Sequence, residues 1–448
     1  MSVTDRGLTA ASLSNEQAAT GLPAVAESRF TLSDGVLSCD GVSLEVVAEA
    51  LGTPAYVYSV EGIRSQYLRL SSALEGLPHR LHYSVKANSN IAILGILRGL
   101  GAGVDIVSGG EMYRAQSAGF SGADIVFSGV GKTEREMIEA LTLGVLLINV
   151  ESEEELLLLD AVAGRLGVRA PVALRVNPEV MVDTPHPYTR TGEKGMKFGI
   201  PFDETLVVAE LALRLANIRL IGLDMHVGSQ ISQFEPYEIG LGRLLSLRDE
   251  IEAAGATELQ YLDIGGGLAV SYDDEHPVDV RGFGEVVKRL VSPTGVTVLL
   301  EPGRFLVGNA GVLLTRVLYR KRSGGKEFII IDAGMNDLLR PSHYNAFHKI
   351  EAVTPNGRKT TADIVGPICE SGDFMALRRE VDDVEPGDLV AVRSAGAYGF
   401  VMASNYNSRP RPVEVLIDSG RFGVVNERED YPDLIRNERL EPKWRVAE

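Results

Sequence analysis

The sequence is short of cysteine, short of basic residues and free of long apolar runs, and each shortage excludes a class of protein. Cys39 and Cys369 are the two cysteines among 448 residues. They are too few for a disulfide framework or a cysteine zinc site, and they fit a reducing, cytoplasmic setting. Lys and Arg number 44 against 61 acidic residues, for a formal net charge of −17. Nucleic acid and anionic membrane are disfavoured as partners, because phosphate binding is dominated by Lys and Arg. A local basic pocket is not. No apolar stretch reaches the roughly 18–20 residues that span a bilayer, and no signal peptide is expected, since a basic start followed by an apolar core is missing. The remaining composition, 45% hydrophobic and 23% charged, is that of a globular chain. At about 100–200 residues per domain, two or three domains are expected.

Residues 1–28 are rich in Ala, Ser, Thr and Gly without sustained period and read as a mobile tail. From Phe30 to Val47, alternation punctuated by Ser33-Asp34-Gly35 and Cys39-Asp40-Gly41 predicts a small hairpin, and 29–54 is assigned as a segment joining a β domain. After Thr53-Pro54 the pattern becomes regular. Strands are predicted at Leu81–Val85, Gly103–Val107, Asp124–Phe127, Leu146–Val150, Val172–Val176, Leu220–His226, Tyr261–Ile264 and Thr297–Glu301. Between them lie helices at Ile91–Leu100, Thr133–Leu143, Ser152–Leu166, Asp203–Leu215 and Tyr237–Ala253. Near-continuous apolar runs fit strands buried on both faces. Eight of them alternating with helices over 55–304 predict an α/β fold, a (β/α)8 TIM barrel. A doubly wound open sheet is the alternative on pattern alone. Over 305–448 helical patterning fades. Ser323-Gly324-Gly325 between apolar runs is a hairpin signal, and Asp363–Ile368, Asp388–Val392 and Val413–Ile417 complete a mostly β C-terminal domain.

Unusual polar and glycine residues gather at the carboxyl ends of the predicted strands. Lys86 follows the first, Asp105 and Ser108 mark the second, and His226-Val227-Gly228-Ser229 the sixth. Gly265-Gly266-Gly267 follows the seventh and Glu301-Pro302-Gly303-Arg304 the eighth. In a barrel these share the catalytic rim, and glycines after the seventh strand with a basic residue after the eighth match the usual barrel phosphate site. A lone lysine at a strand end is more often a solvated charge. A lysine, a phosphate cradle and a carboxylate together suggest pyridoxal 5'-phosphate, with the lysine as the Schiff-base residue. No metal is expected.

Tyr83-Ser84-Val85-Lys86-Ala87-Asn88 resembles the lysine segment of the alanine-racemase-like, fold type III decarboxylases. His226-Val227-Gly228-Ser229-Gln230, the triple glycine and Glu301-Pro302-Gly303-Arg304 resemble their other cofactor segments. Cys369-Glu370-Ser371-Gly372-Asp373 and Gly396-Ala397-Tyr398-Gly399 look like the C-terminal half of the site. Ser404-Asn405-Tyr406-Asn407-Ser408-Arg409-Pro410 is similar to the diaminopimelate decarboxylases in particular. The resemblance begins near Arg29, keeps its order into the last quarter of the chain, and excludes the tail.

It implies the following roles. Lys86 holds the cofactor, with a pKa lowered by partial burial. Glu301 accepts a hydrogen bond from the pyridine nitrogen, and His226 stacks on the ring. Gly265, Gly266 and Gly267 let backbone N–H groups approach the phosphate, with Gly228, Ser229, Gly303 and Arg304 adding donors. Asp105 supports the cofactor. Arg304 and Arg340 grip the distal carboxylate of meso-2,6-diaminopimelate, Tyr344 adds a hydroxyl, and Glu370 accepts the distal ammonium. Cys369 donates a proton across a homodimer, and Tyr398 contacts phosphate and substrate on the partner subunit. The implied reaction is decarboxylation to L-lysine and CO2, the last step of lysine biosynthesis. The loop Pro178–Gly199, with Pro185, Pro187 and Gly192, is a candidate lid. Two departures from the family pattern stand out. Ser84 replaces a frequent Ala with little expected effect, and Ser342-His343 precedes Tyr344 where smaller or apolar residues are common. An ornithine or arginine decarboxylase of the same fold needs no distal-carboxylate reader, a racemase needs no Glu301, and a non-catalytic homologue needs neither.

Overall fold

The structure, a computed structural model, describes residues 29–181, 192–273 and 278–445. The tail expected at 1–28, and Pro185 and Pro187 of the candidate lid, lie outside the described residues. The chain divides into two compact units.

The first unit holds residues 59–310 and 396–398. Eight parallel strands close on themselves in chain order: His79–Ser84, Gly103–Ile106, Ile125–Phe127, Leu147–Val150, Ala170–Asn177, Ile218–Met225, Tyr261–Asp263 and Thr297–Leu300. Closure is the pairing that pattern could not supply. Val298 lies opposite His79, joining the last strand to the first, and Ile148 opposite Val172 joins the fourth to the fifth. The open-sheet alternative is thereby excluded. Several barrel helices start at a capping side chain just after a strand. Asn90, Thr133 and Ser152 each accept a backbone N–H of the first turn, satisfying a donor the helix leaves orphaned. Ser108, conspicuous in sequence at the second strand end, is another such cap, accepting from Glu111 N at 3.2 Å. Val126, Leu147, Ala173, Ile221 and Leu299 form one buried cluster of this unit.

His82 on the first strand is fully buried, and neither ring nitrogen has a hydrogen-bond partner. Gly103 makes room for it, since a Cβ there would stand 2.4 Å from the imidazole. Burial holds its pKa down to about 3 against the ordinary 6.5. A base that protonates more readily unfolded than folded contributes stability above about pH 6.5. That contribution is lost as pH falls from 6.5 toward 3. H82F is expected to flatten the decline of the melting temperature across that window; an unchanged slope would assign the acid sensitivity elsewhere.

The second unit holds residues 30–58, 311–395 and 399–445. Its long strand Gly311–Ser323 turns at Gly324-Gly325 into Lys326–Ile331 and also pairs with Ala55–Ser59 and Leu389–Val392. Phe30, Leu37, Val57, Val312, Leu314, Val415 and Ile417 pack into its core, with Cys39 wholly buried among them. The Phe30–Val47 segment differs from the predicted hairpin. Strands Phe30–Ser33 and Val36–Cys39 form, but a helix runs from Leu44 to Leu51 behind its Ser43 cap. Among the described residues no helix is long and apolar enough to cross a membrane.

Candidate active site

The strand ends of the first unit bring Lys86, Asp105, His226 and Glu301 together, as the sequence placed them. Lys86 follows the first strand, its Nζ 3.5 Å from Asp105 Oδ2 at the second. Asp105 is buried, and its Oδ2 also accepts from Ser84 Oγ at 2.6 Å. Ser84 Oγ lies 3.2 Å from the Glu301 carbonyl as well. The substitution expected to be neutral therefore supplies a hydroxyl that orients Asp105. The lysine differs from expectation too. Desolvation lowers its pKa, but the carboxylate of Asp105 beside it outweighs that and holds the ammonium above its ordinary value.

Glu301 follows the eighth strand. Its Oε1 accepts from Ser128 Oγ at 3.1 Å and from Asn149 Nδ2 at 3.4 Å. Ligand atoms of Asp224, Asp263 and Glu301 lie within 4.8 Å of one another. Three buried carboxylates at that spacing cannot all ionise, and burial with mutual repulsion pushes Glu301 and Asp224 well above the carboxylate range. Arg175 is the counter-charge, 3.6 Å from Asp224 Oδ2 and 3.0 Å from Glu151 Oε1. Both Asp224 oxygens, Asp263 Oδ2 and Asp105 Oδ1 accept no hydrogen bond. The floor of this site is thus rich in acceptors and short of donors.

His226 Nδ1 accepts from Gly266 N–H at 3.2 Å. Burial, with Arg175 and Lys86 nearby, pushes its pKa well down, so the ring is neutral. Its proton therefore sits on Nε2. Gly265 N–H donates to Asp263 Oδ1 at 3.0 Å. The amides of Gly265 and Gly266 are thus engaged within the protein, which narrows the phosphate cradle expected from the triple glycine. Their missing side chains also have a reason of packing: a Cβ on Gly266 would stand 2.2 Å from Glu301 O, and one on Gly267 2.3 Å from Gly228 O. Arg304 donates to Ser229 Oγ at 3.2 Å and to Tyr272 Oη at 2.6 Å. Tyr398 lies beside the lysine segment of its own chain. Its N–H donates to Ala87 O of the same chain at 2.8 Å, and the Arg304 guanidinium lies 4.9 Å from its ring centre.

The remaining site candidates lie on the second unit. Arg340 is buried at the start of the helix Arg340–Tyr344. The Tyr344 ring meets the His343 ring edge-on at 4.5 Å. Cys369 and Glu370 are exposed. Cys369 N–H donates to Asn407 Oδ1 at 2.8 Å, and a bond to Glu370 raises the Tyr406 phenol. Asp373 fixes their loop by accepting from Met335 N–H and Ile368 N–H, both at 2.6 Å.

Sequence reasoning missed Ser128, Asn149, Arg175, Asp224 and Asp263. The signal was present. Arg175, Asp224 and Asn149 interrupt runs read as buried on both faces, where a polar group needs a partner.

The donor-poor floor is a test of the cofactor reading, and pyridoxal phosphate fits it. A cationic ring N–H supplies the donor that Glu301 and its neighbours want, and Lys86 stands beside Asp105 at the same strand ends. Residues 60–308 match the family model of the pyridoxal-dependent decarboxylase, pyridoxal binding domain. Over 415 residues the chain is 49% identical to diaminopimelate decarboxylase of Pseudomonas aeruginosa, covering 92% of this chain and 99% of that protein. The Aquifex aeolicus diaminopimelate decarboxylase is 46% identical over 406 residues, covering 90% and 95%. The crystal structure of diaminopimelate decarboxylase from Helicobacter pylori complexed with L-lysine superposes with a TM-score of 0.85. It is 38% identical, covering 88% of this chain and 99% of that one.

Proposed function

The chain belongs to the diaminopimelate decarboxylase family of pyridoxal-dependent enzymes, and on that premise we propose that it converts meso-2,6-diaminopimelate to L-lysine and CO2. The observation that carries the reading is the convergence of Lys86, Asp105, His226 and Glu301 at the carboxyl ends of one barrel's strands. When bound, pyridoxal phosphate supplies an electron sink for the pair left behind by the departing CO2. The protein's part is to hold and orient. Lys86 Nζ is the amine that anchors the cofactor and is released to admit substrate. Glu301 Oε1 is engaged by Ser128 and Asn149, so accepting from the ring nitrogen falls to Oε2. Neutral His226, pinned through Nδ1 to Gly266, presents a flat uncharged face for stacking. With two glycine amides engaged, the phosphate is assigned to the N–H groups of Gly267, Gly228, Gly303 and Arg304 and to the Ser229 hydroxyl. Tyr398 adds its hydroxyl.

Arg304, Arg340, Tyr344 and Glu370 are assigned to the distal end of the substrate. The bidentate fork of arginine suits a carboxylate, and Glu370 suits an ammonium. Cys369 Sγ is the proton donor to the α-carbon, acting across a homodimer. The location proposed is the cytoplasm, in keeping with two free cysteines.

The direct test is CO2 release from meso-diaminopimelate, with L-ornithine, L-arginine and L-lysine as parallel substrates. Release from meso-diaminopimelate alone is expected; release only from a substrate without a second carboxylate would transfer the assignment to the ornithine or arginine branch. The shared site makes a second prediction. K86A and C369A are each expected to be inactive alone. Mixed as subunits, they should regain about one quarter of wild-type activity, because half of randomly formed dimers are hybrid and one of their two sites is intact. Absence of any recovery, with hybrid dimers shown to form, would place Cys369 in its own chain's site.

A further inference from the structure

His348 carries no role in the reading above, yet its surroundings admit one protonation state. It is fully buried, with Nε2 2.8 Å from Arg340 Nη1 and Nδ1 2.8 Å from the Arg393 carbonyl oxygen. A guanidinium nitrogen can only donate and a carbonyl oxygen can only accept. The ring must therefore carry its proton on Nδ1 and turn the Nε2 lone pair toward Arg340. That makes it a neutral imidazole of one tautomer, fixed by its two neighbours.

The ring is also held by a rigid frame. His348 sits two residues before the strand Ile350–Ala352, which pairs with Leu389–Val392. Arg393 N–H donates to Lys349 O at 2.8 Å. Arg379 Nη1 donates to His348 O at 2.5 Å while its guanidinium lies 4.1 Å from the Phe347 ring centre. The backbone on both sides of the imidazole is tied to strands, so the lone pair points in a set direction.

We propose that His348 is a positioning residue that aims Arg340 at the distal carboxylate of the substrate, a role that rests on the assignment of Arg340 above. A carboxylate in its place would orient the guanidinium and also cancel its charge. A neutral imidazole orients the guanidinium without contributing negative charge of its own. Distance and tautomer together make the residue selective for one end of the substrate. The carboxylate that survives in L-lysine is the distal one, so product and substrate should respond alike, whereas a diamine without carboxylates should not.

The experiment compares H348L, H348N, H348Q and R340Q as holoenzymes. In H348L and H348N the KM for meso-diaminopimelate and the inhibition constant of L-lysine are expected to rise together by about tenfold, with the loss in KM rather than kcat. The inhibition constant of 1,5-diaminopentane should stay within about twofold of wild type. Gln can accept from Arg340 and donate to Arg393 O, so H348Q should recover most of the KM; Asn is too short to span both partners. If H348L does not fold, the Asn–Gln pair decides. Unchanged KM in H348L and H348N while R340Q raises it would overturn the proposal, as would losses shared by kcat and the diamine. An R340Q enzyme with unchanged KM would overturn the Arg340 assignment instead.

Discussion

Replacing Lys86 with alanine is expected to lower decarboxylation by at least about 1,000-fold, because the residue that anchors the cofactor covalently is gone. Charge alone could be an alternative account, since the ammonium stands 3.5 Å from a buried Asp105 and is held charged by it. K86R separates the two. A guanidinium keeps the positive charge beside Asp105 but is not a usable amine nucleophile, so K86R should be as inactive as K86A. Reduction of the wild-type holoenzyme with borohydride should leave the cofactor's mass on the peptide containing Lys86, and neither variant should show it there. Substantial activity in K86R would reduce the lysine to an electrostatic part.

The second large effect belongs to Glu301. E301Q is expected to lower kcat by about 100- to 1,000-fold, the scale of losing one preorganised electrostatic contact to the group where charge develops. The cofactor should remain bound, since Lys86 and the phosphate donors are untouched. Stability is the control. Glu301 lies in a cluster whose members raise one another, and a neutral amide removes one competitor for the shared charge while its carbonyl oxygen can still accept from Ser128 and Asn149. The melting temperature at neutral pH should therefore hold or rise. Activity within fivefold of wild type would remove Glu301 from the reaction, and a collapse in stability would mark it as structural.

The chemistry of the site was more legible in the sequence than its support. Lys86, Asp105, His226 and Glu301 were visible because each is a polar interruption at the end of an apolar run, and strand ends on a parallel barrel face one way. The layer beneath was not visible. Ser128 and Asn149 are short polar residues inside or beside strands, and only the closed sheet shows that they converge on Glu301. The helices predicted between strands fall within two residues of those observed, three of them opening on a side-chain cap, which is a local signal. The strand Phe374–Asp382 escaped notice because Arg378, Arg379 and Glu380 stand in its middle. Its alternation dissolves into charge where it faces solvent. The barrel boundary expected at 55 takes in the strand Ala55–Ser59, whose pairing partner Gly311–Ser323 lies more than 250 residues away, and a pairing that remote leaves no local trace.

The three residues Gly396–Tyr398 belong with the barrel although its last strand ended nearly a hundred residues before. During synthesis, then, the ribosome will have made all eight strands long before it makes the tyrosine that touches Ala87. A nascent barrel can close its hydrogen-bonded ring and still present an unfinished lysine segment. The same dependence governs dissection. A chain cut after Ala310 would keep every barrel strand and Lys86 itself, but lose the phenol and the backbone contact that flank it. The barrel is therefore not a separable module, and its lysine segment is completed only by residues made nearly a hundred positions after its last strand.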